Sequence, residues 1–123
     1  MQYNKDMSGA FSETFKKARD IVLSFKGIKE LKNAKQTSYS DSHGVIVMMR
    51  TKDDMFVLSF GKGVKMKDKF PHLSGEGKIV RHWNLYSEKD LDEKVLGQMI
   101  EESIILGIEY EELKKLRKKN EKI

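Results

Sequence analysis

Val45-Ile46-Val47-Met48-Met49, the turn residues Lys52-Asp53-Asp54, and Met55-Phe56-Val57-Leu58-Ser59-Phe60 form the stretch that decides the fold. Five consecutive apolar residues suit a central strand and are too few for a helix. The charged triplet that follows reads as a turn. In the second run Phe56, Leu58 and Phe60 fall on one face, the period of a strand with one buried side. Upstream, Lys35 to Asp41 reads as a polar edge strand carrying Thr37 and Tyr39 on one face, and Asp41-Ser42-His43-Gly44 is a turn by composition. Two hairpins in series predict a three-stranded antiparallel meander.

On either side the period changes to that of a helix. Phe11, Phe15, Ala18, Val22 and Phe25 share one helical face, with Ser12 as a plausible cap and Gly27 beyond the end. Met1 to Ala10 reads as a flexible lead-in, and Ile28 to Ala34 as a short helical turn entering the sheet. Downstream, residues 61–77 make a long connection that holds the only proline, Pro71, and four glycines. Lys78 to Tyr86 returns as a fourth strand, with Ile79, Arg81, Trp83 and Leu85 on one side and Val80, His82, Asn84 and Tyr86 on the other. Ser87 and Asp90 have the spacing of a capping box. A stripe of Leu91, Val95, Leu96, Met99, Ile100 and Ile104 then predicts a second long helix, interrupted or kinked at Gly107. The expected fold is α+β: an antiparallel sheet of about four strands covered on one face by the N- and C-terminal helices. Residues 11–123 form a single domain ending in a basic helix.

Composition excludes several functions. The chain has 123 residues and no cysteine, so thiolate catalysis, disulfides and cysteine-ligated metals are absent. No apolar run reaches the roughly 20 residues that span a bilayer, and a cytoplasmic protein without a membrane partner is expected. The net charge of +5 is unevenly spread. Residues 61–87 hold six basic and two acidic side chains, residues 88–112 two and nine, and residues 113–123 six and one. Such asymmetry can orient a charged partner.

The pattern Phe60-Gly61-Lys62-Gly63-Val64, Gly75-Glu76-Gly77-Lys78, Arg81-His82 and Asp90-Leu91-Asp92 before an apolar helix resembles the YdhG-like family of small bacterial domains. The resemblance spans roughly residues 45–105. It implies a frataxin-like sandwich and, by analogy with frataxin, iron as the bound species. The first helix sets Glu13 and Asp20 among Lys16, Lys17, Arg19 and Lys26, so iron would have to meet the acids of 88–112, with Asp90, Asp92 and Glu93 as the candidates.

The residues themselves point first to an anion. Gly75-Glu76-Gly77-Lys78 either cradles one with backbone N–H groups or is a turn that sets up the strand. Arg81 must be paired if its face is buried. His82, close to Lys78 and Arg81, is disfavoured as a cation. Lys62, Lys78, Arg81 and His82 are therefore expected to face one concavity and to bind a small anionic ligand or an acidic partner protein, without a cofactor. No nucleophile–base pair or cofactor fingerprint points to an enzyme. Lys114 to Lys122, with nearby aromatics such as Tyr39, Phe70, Trp83 and Tyr86, leaves single-stranded nucleic acid as a further partner class.

Overall fold

A computed structural model of the chain describes the backbone of residues 1–121 and the side chains of residues 1–118. The elements run α1 (Gln2–Ser8), α2 (Ser12–Leu23), β1 (Lys29–Lys32), β2 (Thr37–Asp41), β3 (Gly44–Lys52), β4 (Met55–Phe60), β5 (Arg81–Leu85) and α3 (Glu93–Glu121), with 3-10 turns at Gly63–Lys65 and Glu88–Asp90. The five strands form one antiparallel sheet in the order β1-β2-β3-β4-β5. Every strand therefore pairs with its sequence neighbour, through short turns up to β4 and through the long 61–80 connection between β4 and β5.

The β3–β4 hairpin sets the faces. Val47 pairs with Phe60, Met49 with Leu58 and Thr51 with Phe56. Asp53 takes a left-handed conformation at φ 54°, a geometry aspartate tolerates in tight turns. β5 extends the same face, with Leu58 opposite Trp83 and Phe56 opposite Leu85. Where β2 meets β3, Tyr39 pairs with Val47 and Ser40 with Val45, so Ile46 is an extra residue in a bulge.

Tyr39, Val47, Met49, Phe56, Leu58, Phe60, Trp83 and Leu85 are all buried with Phe15, Ala18 and Val22 of α2 and Leu96, Met99 and Ile100 of α3. Burying each large side chain stabilises the fold by about 1.5–3 kcal/mol. All helices lie on this one face. The opposite face, with Met48, Arg50, Lys52, Val57, Ser59, His82 and Asn84, has no helix over it. No described helix is long and apolar enough to cross a membrane.

Five sequence expectations change. Residues 1–10 are not a flexible lead-in: Gln2–Ser8 is helical, Tyr3 and Met7 pack on the core, and Asp6 is fully buried. The Asp6 carboxylate accepts from the backbone N–H of Thr51 and from Gln2 Nε2, each at 2.9 Å, which ties α1 to β3. Residues 29–32 are a fifth strand and not a helical turn. Glu30 holds it in place, accepting a forked pair from Arg19 Nε and Nη2 at 2.6 and 3.1 Å and a third bond from the Tyr39 hydroxyl at 2.9 Å. The last strand begins at Arg81 rather than Lys78, leaving Ile79 63% exposed. The Ser87–Asp90 capping box is present, but it closes a 3-10 turn and α3 starts three residues later. α3 also runs through Gly107 without a break.

Candidate functional site

The connection after β4 is pinned to both sides of the sheet. Gly61 N–H donates to Ile46 O at 3.2 Å, and Val64 N–H to Ile79 O at 2.9 Å. Glycine is required here by close approach. A Cβ on Gly61 would lie 2.7 Å from Val45 O, and one on Gly63 would collide with the Arg81 backbone, 2.9 Å from its Cα. Further on, the connection buries Met66, Phe70 and Leu73 beneath α3, where Ser103 Oγ lies 3.3 Å from Met66 Sδ. Residues 61–77 are thus an ordered unit packed on the core.

The glycine in α3 acts in the same way. A Cβ on Gly107 would sit 2.8 Å from His43 Cβ and 3.6 Å from Lys62 Cε. α3 can cross the β2–β3 turn only because this position has no side chain. The crossing leaves a cavity of about 350 Å³, lined by His43, Gly61, Lys62, Val64, Lys65, Lys78, Ile79, Leu106, Gly107 and Tyr110. Val64, Ile79 and Leu106 give it an apolar wall. Lys62, Lys65 and Lys78 are its basic lining residues, and no carboxylate residue is in its lining.

Each polar group is positioned differently. Lys62 is half-buried, and its Nζ lies 3.4 Å from Val45 O. Burial draws its pKa below the ordinary lysine value, against the pull of Asp41 in the other direction. Among the described residues, Lys62, Lys65 and Lys78 form no ion pair. Lys65 Nζ sits 5.7 Å from the centre of the Tyr110 ring. His43 is held by its turn, its backbone N–H donating to Asp41 Oδ1 at 2.8 Å.

The four side chains expected to converge do not. Lys62 and Lys78 line this cavity. Arg81 does not, because its Nη1 donates to the carbonyls of Gly77 and Val80. The guanidinium closes the Gly75–Lys78 turn, and the partner its half-buried position demands is backbone rather than ligand. His82 lies on the uncovered face of the sheet. It lines a second hollow of about 250 Å³ with Arg50, Lys52, Met55, Val57, Ser59 and Asn84. His82 Nδ1 is 2.8 Å from Ser59 Oγ. Its pKa falls below the usual histidine value, first through burial and then through Arg50, Lys52 and Arg81. The alternation that separates Arg81 from His82 along β5 sends them to opposite sides of the sheet.

The acidic candidates are partly engaged by backbone. Asp90 Oδ2 accepts from the N–H groups of Tyr86 and Ser87 at 2.8 and 3.1 Å, and Asp92 Oδ1 from that of Val95 at 3.1 Å. Glu93 is exposed in the first turn of α3. Among the described residues no group of three or more His, Asp or Glu side chains is placed to hold a metal ion. Of the basic C-terminal run, Lys114, Lys115, Arg117 and Lys118 are exposed on α3, while the side chains of Lys119 and Lys122 lie outside the described residues. His43, Lys65 and Tyr110 were not singled out as ligand groups by sequence. The available signal was Gly107, a glycine inside a helix, which marks close approach as well as a kink.

No family model, curated protein or solved structure matches this chain.

Proposed function

We propose that this protein is a non-enzymatic binding module that holds a small anion with an apolar body in the cavity between the 61–65 turn, Lys78–Ile79 and α3. The observation that carries this reading is the combination, in one concavity, of an apolar wall and three lysines that form no ion pair among the described residues. A volume of about 350 Å³ is at the small end of ligand pockets. Unpaired ammonium groups beside a low-dielectric surface attract an anion more strongly than they would in bulk water. The apolar wall favours a ligand whose charge is confined to one end. Affinity for a ligand this small is modest, with a Kd on the order of 0.1 mM.

A frataxin-like sandwich is part of this proposal and agrees with the chain order of helices, five-stranded meander and long helix; the YdhG-like family is proposed on the sequence resemblance alone. The engagement of Asp90 and Asp92 with backbone N–H groups favours an anion over iron as the ligand class.

A titration of the isotopically labelled protein with 2-naphthoate tests the proposal, with the neutral 2-naphthalenemethanol as control. Saturable amide shifts at Gly61, Lys62, Val64, Ile79 and Gly107, at least about tenfold weaker for the alcohol, are expected. Equal affinity for the two compounds, or shifts scattered over the surface, would refute it.

A further inference from the structure

The uncovered face of the sheet carries its own constellation. Its geometry follows from the strand register. Met48 pairs with Ser59 and Ser59 with His82, giving one row across β3, β4 and β5. Arg50, Val57 and Asn84 form the next row, and Lys52 with Met55 the one after. Residues two apart on a strand share a face. Arg50, Lys52, Ser59, His82 and Asn84 therefore present their side chains together over a hollow of about 250 Å³.

We propose that this hollow is a second binding site, specific for the phosphoryl oxyanion of a small phosphorylated ligand. Three features support it. The lining holds two permanent cations and no carboxylate, and neither Arg50 nor Lys52 forms an ion pair among the described residues. Arg50 supplies a planar fork of donors, Lys52 a point charge and Asn84 an amide donor, a set that matches a tetrahedral oxyanion. The floor is Val57, only 6% exposed, so the cations stand against an apolar surface that weakens solvent screening.

His82 gives the site its second property. Its Nδ1 is fixed by Ser59, leaving Nε2 as the ring nitrogen for a ligand. Gly75 lies against the edge of the ring: a Cβ there would be 3.2 Å from Cδ2 and 3.9 Å from Nε2. The charged groups bearing on His82 are Arg50 and Lys52 from β3 and Arg81 beside it on β5, all positive. β4 contributes Met55, Val57 and Ser59 to the hollow, and Ser74, bridged to His82 from the preceding segment, is also uncharged. Burial first, and then those cations, draw the imidazole pKa below its usual value in the empty site. A bound dianion offsets them, so ligand binding carries proton uptake by His82.

The face does not suit a nucleic-acid strand. Tyr39, Phe56, Phe60 and Trp83 all turn toward the helices, leaving no Phe, Tyr or Trp ring on β3, β4 or β5 of the open face for a base to stack on.

The test follows the His82 ring protons by NMR across pH 5–8 in inorganic phosphate and in sodium chloride of equal ionic strength. Phosphate is expected to shift Asn84 and Ser59 saturably and to raise the His82 pKa above its value in chloride. Arg50→Gln and Lys52→Gln, each confirmed folded by its amide spectrum, are expected to weaken phosphate at least about tenfold. Lys94→Gln, an exposed lysine of α3 that lines neither cavity, is expected to leave it unchanged, which separates this site from a general loss of positive charge. Identical titrations in phosphate and chloride would overturn the proposal, as would phosphate binding that survives both glutamine variants. Binding of an oligothymidylate at a hundredfold lower phosphate concentration than inorganic phosphate would overturn it too, in favour of a strand-binding surface.

Discussion

Replacing Lys62 by methionine separates what this side chain does for a ligand from what it costs the fold. Methionine keeps an unbranched apolar stem of similar length and removes the ammonium. In the wild type that ammonium is half-buried, with one backbone acceptor at 3.4 Å and no ion pair among the described residues. Its pKa in the folded state lies below the ordinary 10.5 because burial disfavours the charge. The unfolded chain thus binds the proton more tightly. Wild-type stability rises as pH climbs through the folded pKa toward 10.5, and the variant lacks that rise. At neutral pH the variant escapes the desolvation cost. A fully buried unpaired charge costs several kcal/mol. A half-exposed one that also feels Asp41 costs much less, so a gain of about 0.5–1 kcal/mol is expected. For a chain of this size that raises Tm by about 2–4 °C. Binding moves the other way. Loss of one charge-assisted hydrogen bond, about 1.5–3 kcal/mol, weakens 2-naphthoate roughly 10- to 100-fold. Thermal melts at pH 7 and pH 10, with a naphthoate titration, measure both effects. A variant that melts lower than wild type and binds naphthoate equally well would refute the assignment of Lys62.

Three further substitutions, with Gly97→Ala as a control, probe how the fold is held. Glu30→Gln removes the charge that Arg19 and Tyr39 both bond, and should lower stability at pH 7 by about 1.5–3 kcal/mol in urea unfolding. Burial works to raise the Glu30 pKa, but the bonds from Arg19 and Tyr39 outweigh it and leave it below 4.5. Its contribution is therefore present above pH 4.5 and lost as pH falls through the lower folded value; the wild-type and variant stability curves should converge there. Asp6→Ala strands the Thr51 N–H that the carboxylate accepts and should cost about 2–3 kcal/mol, with earlier exchange of the α1 amides as the local readout. Gly63→Ala drives a methyl group into the Arg81 backbone and should lower Tm by about 8–12 °C, corresponding to about 2–3 kcal/mol, whereas Gly97→Ala, where nothing lies within 4 Å, should not lower it.

The sheet was legible wherever a hydrophobic period survived. Val45–Met49 and Met55–Phe60 alternate or run apolar because one side meets the helices, and both are strands in the expected register. β1 was not legible, because Lys29-Glu30-Leu31-Lys32 has no buried stripe; an ion pair from α2 and a tyrosine hydroxyl hold it, and neither leaves a periodic trace. α1 was hidden for a related reason. Its anchor is a buried aspartate that caps a strand N–H 45 residues away, and a charged residue near a terminus reads as solvent-facing.

For the site, proximity in sequence misled where strand geometry decided. Lys78, Arg81 and His82 lie within five residues, yet the turn, the guanidinium and the imidazole end in three different environments. The reason is the period of two. A strand can assemble a site only from every second residue, and it draws the rest from neighbouring strands at matching register. His82 therefore belongs with Asn84, two residues on, and across the sheet with Ser59, Arg50 and Lys52, which lie more than 20 positions away in the sequence. Lys62 and Lys78, from opposite ends of the connection, line one cavity because Gly61 and Gly63 let that connection fold back on the sheet, and α3 closes over it because position 107 is glycine. The glycines carried the spatial information that the lysines lacked: Gly61 and Gly63 mark places where two backbones touch, Gly107 one where a helix backbone meets the His43 side chain, and the helix-side cavity is lined by all but one of them.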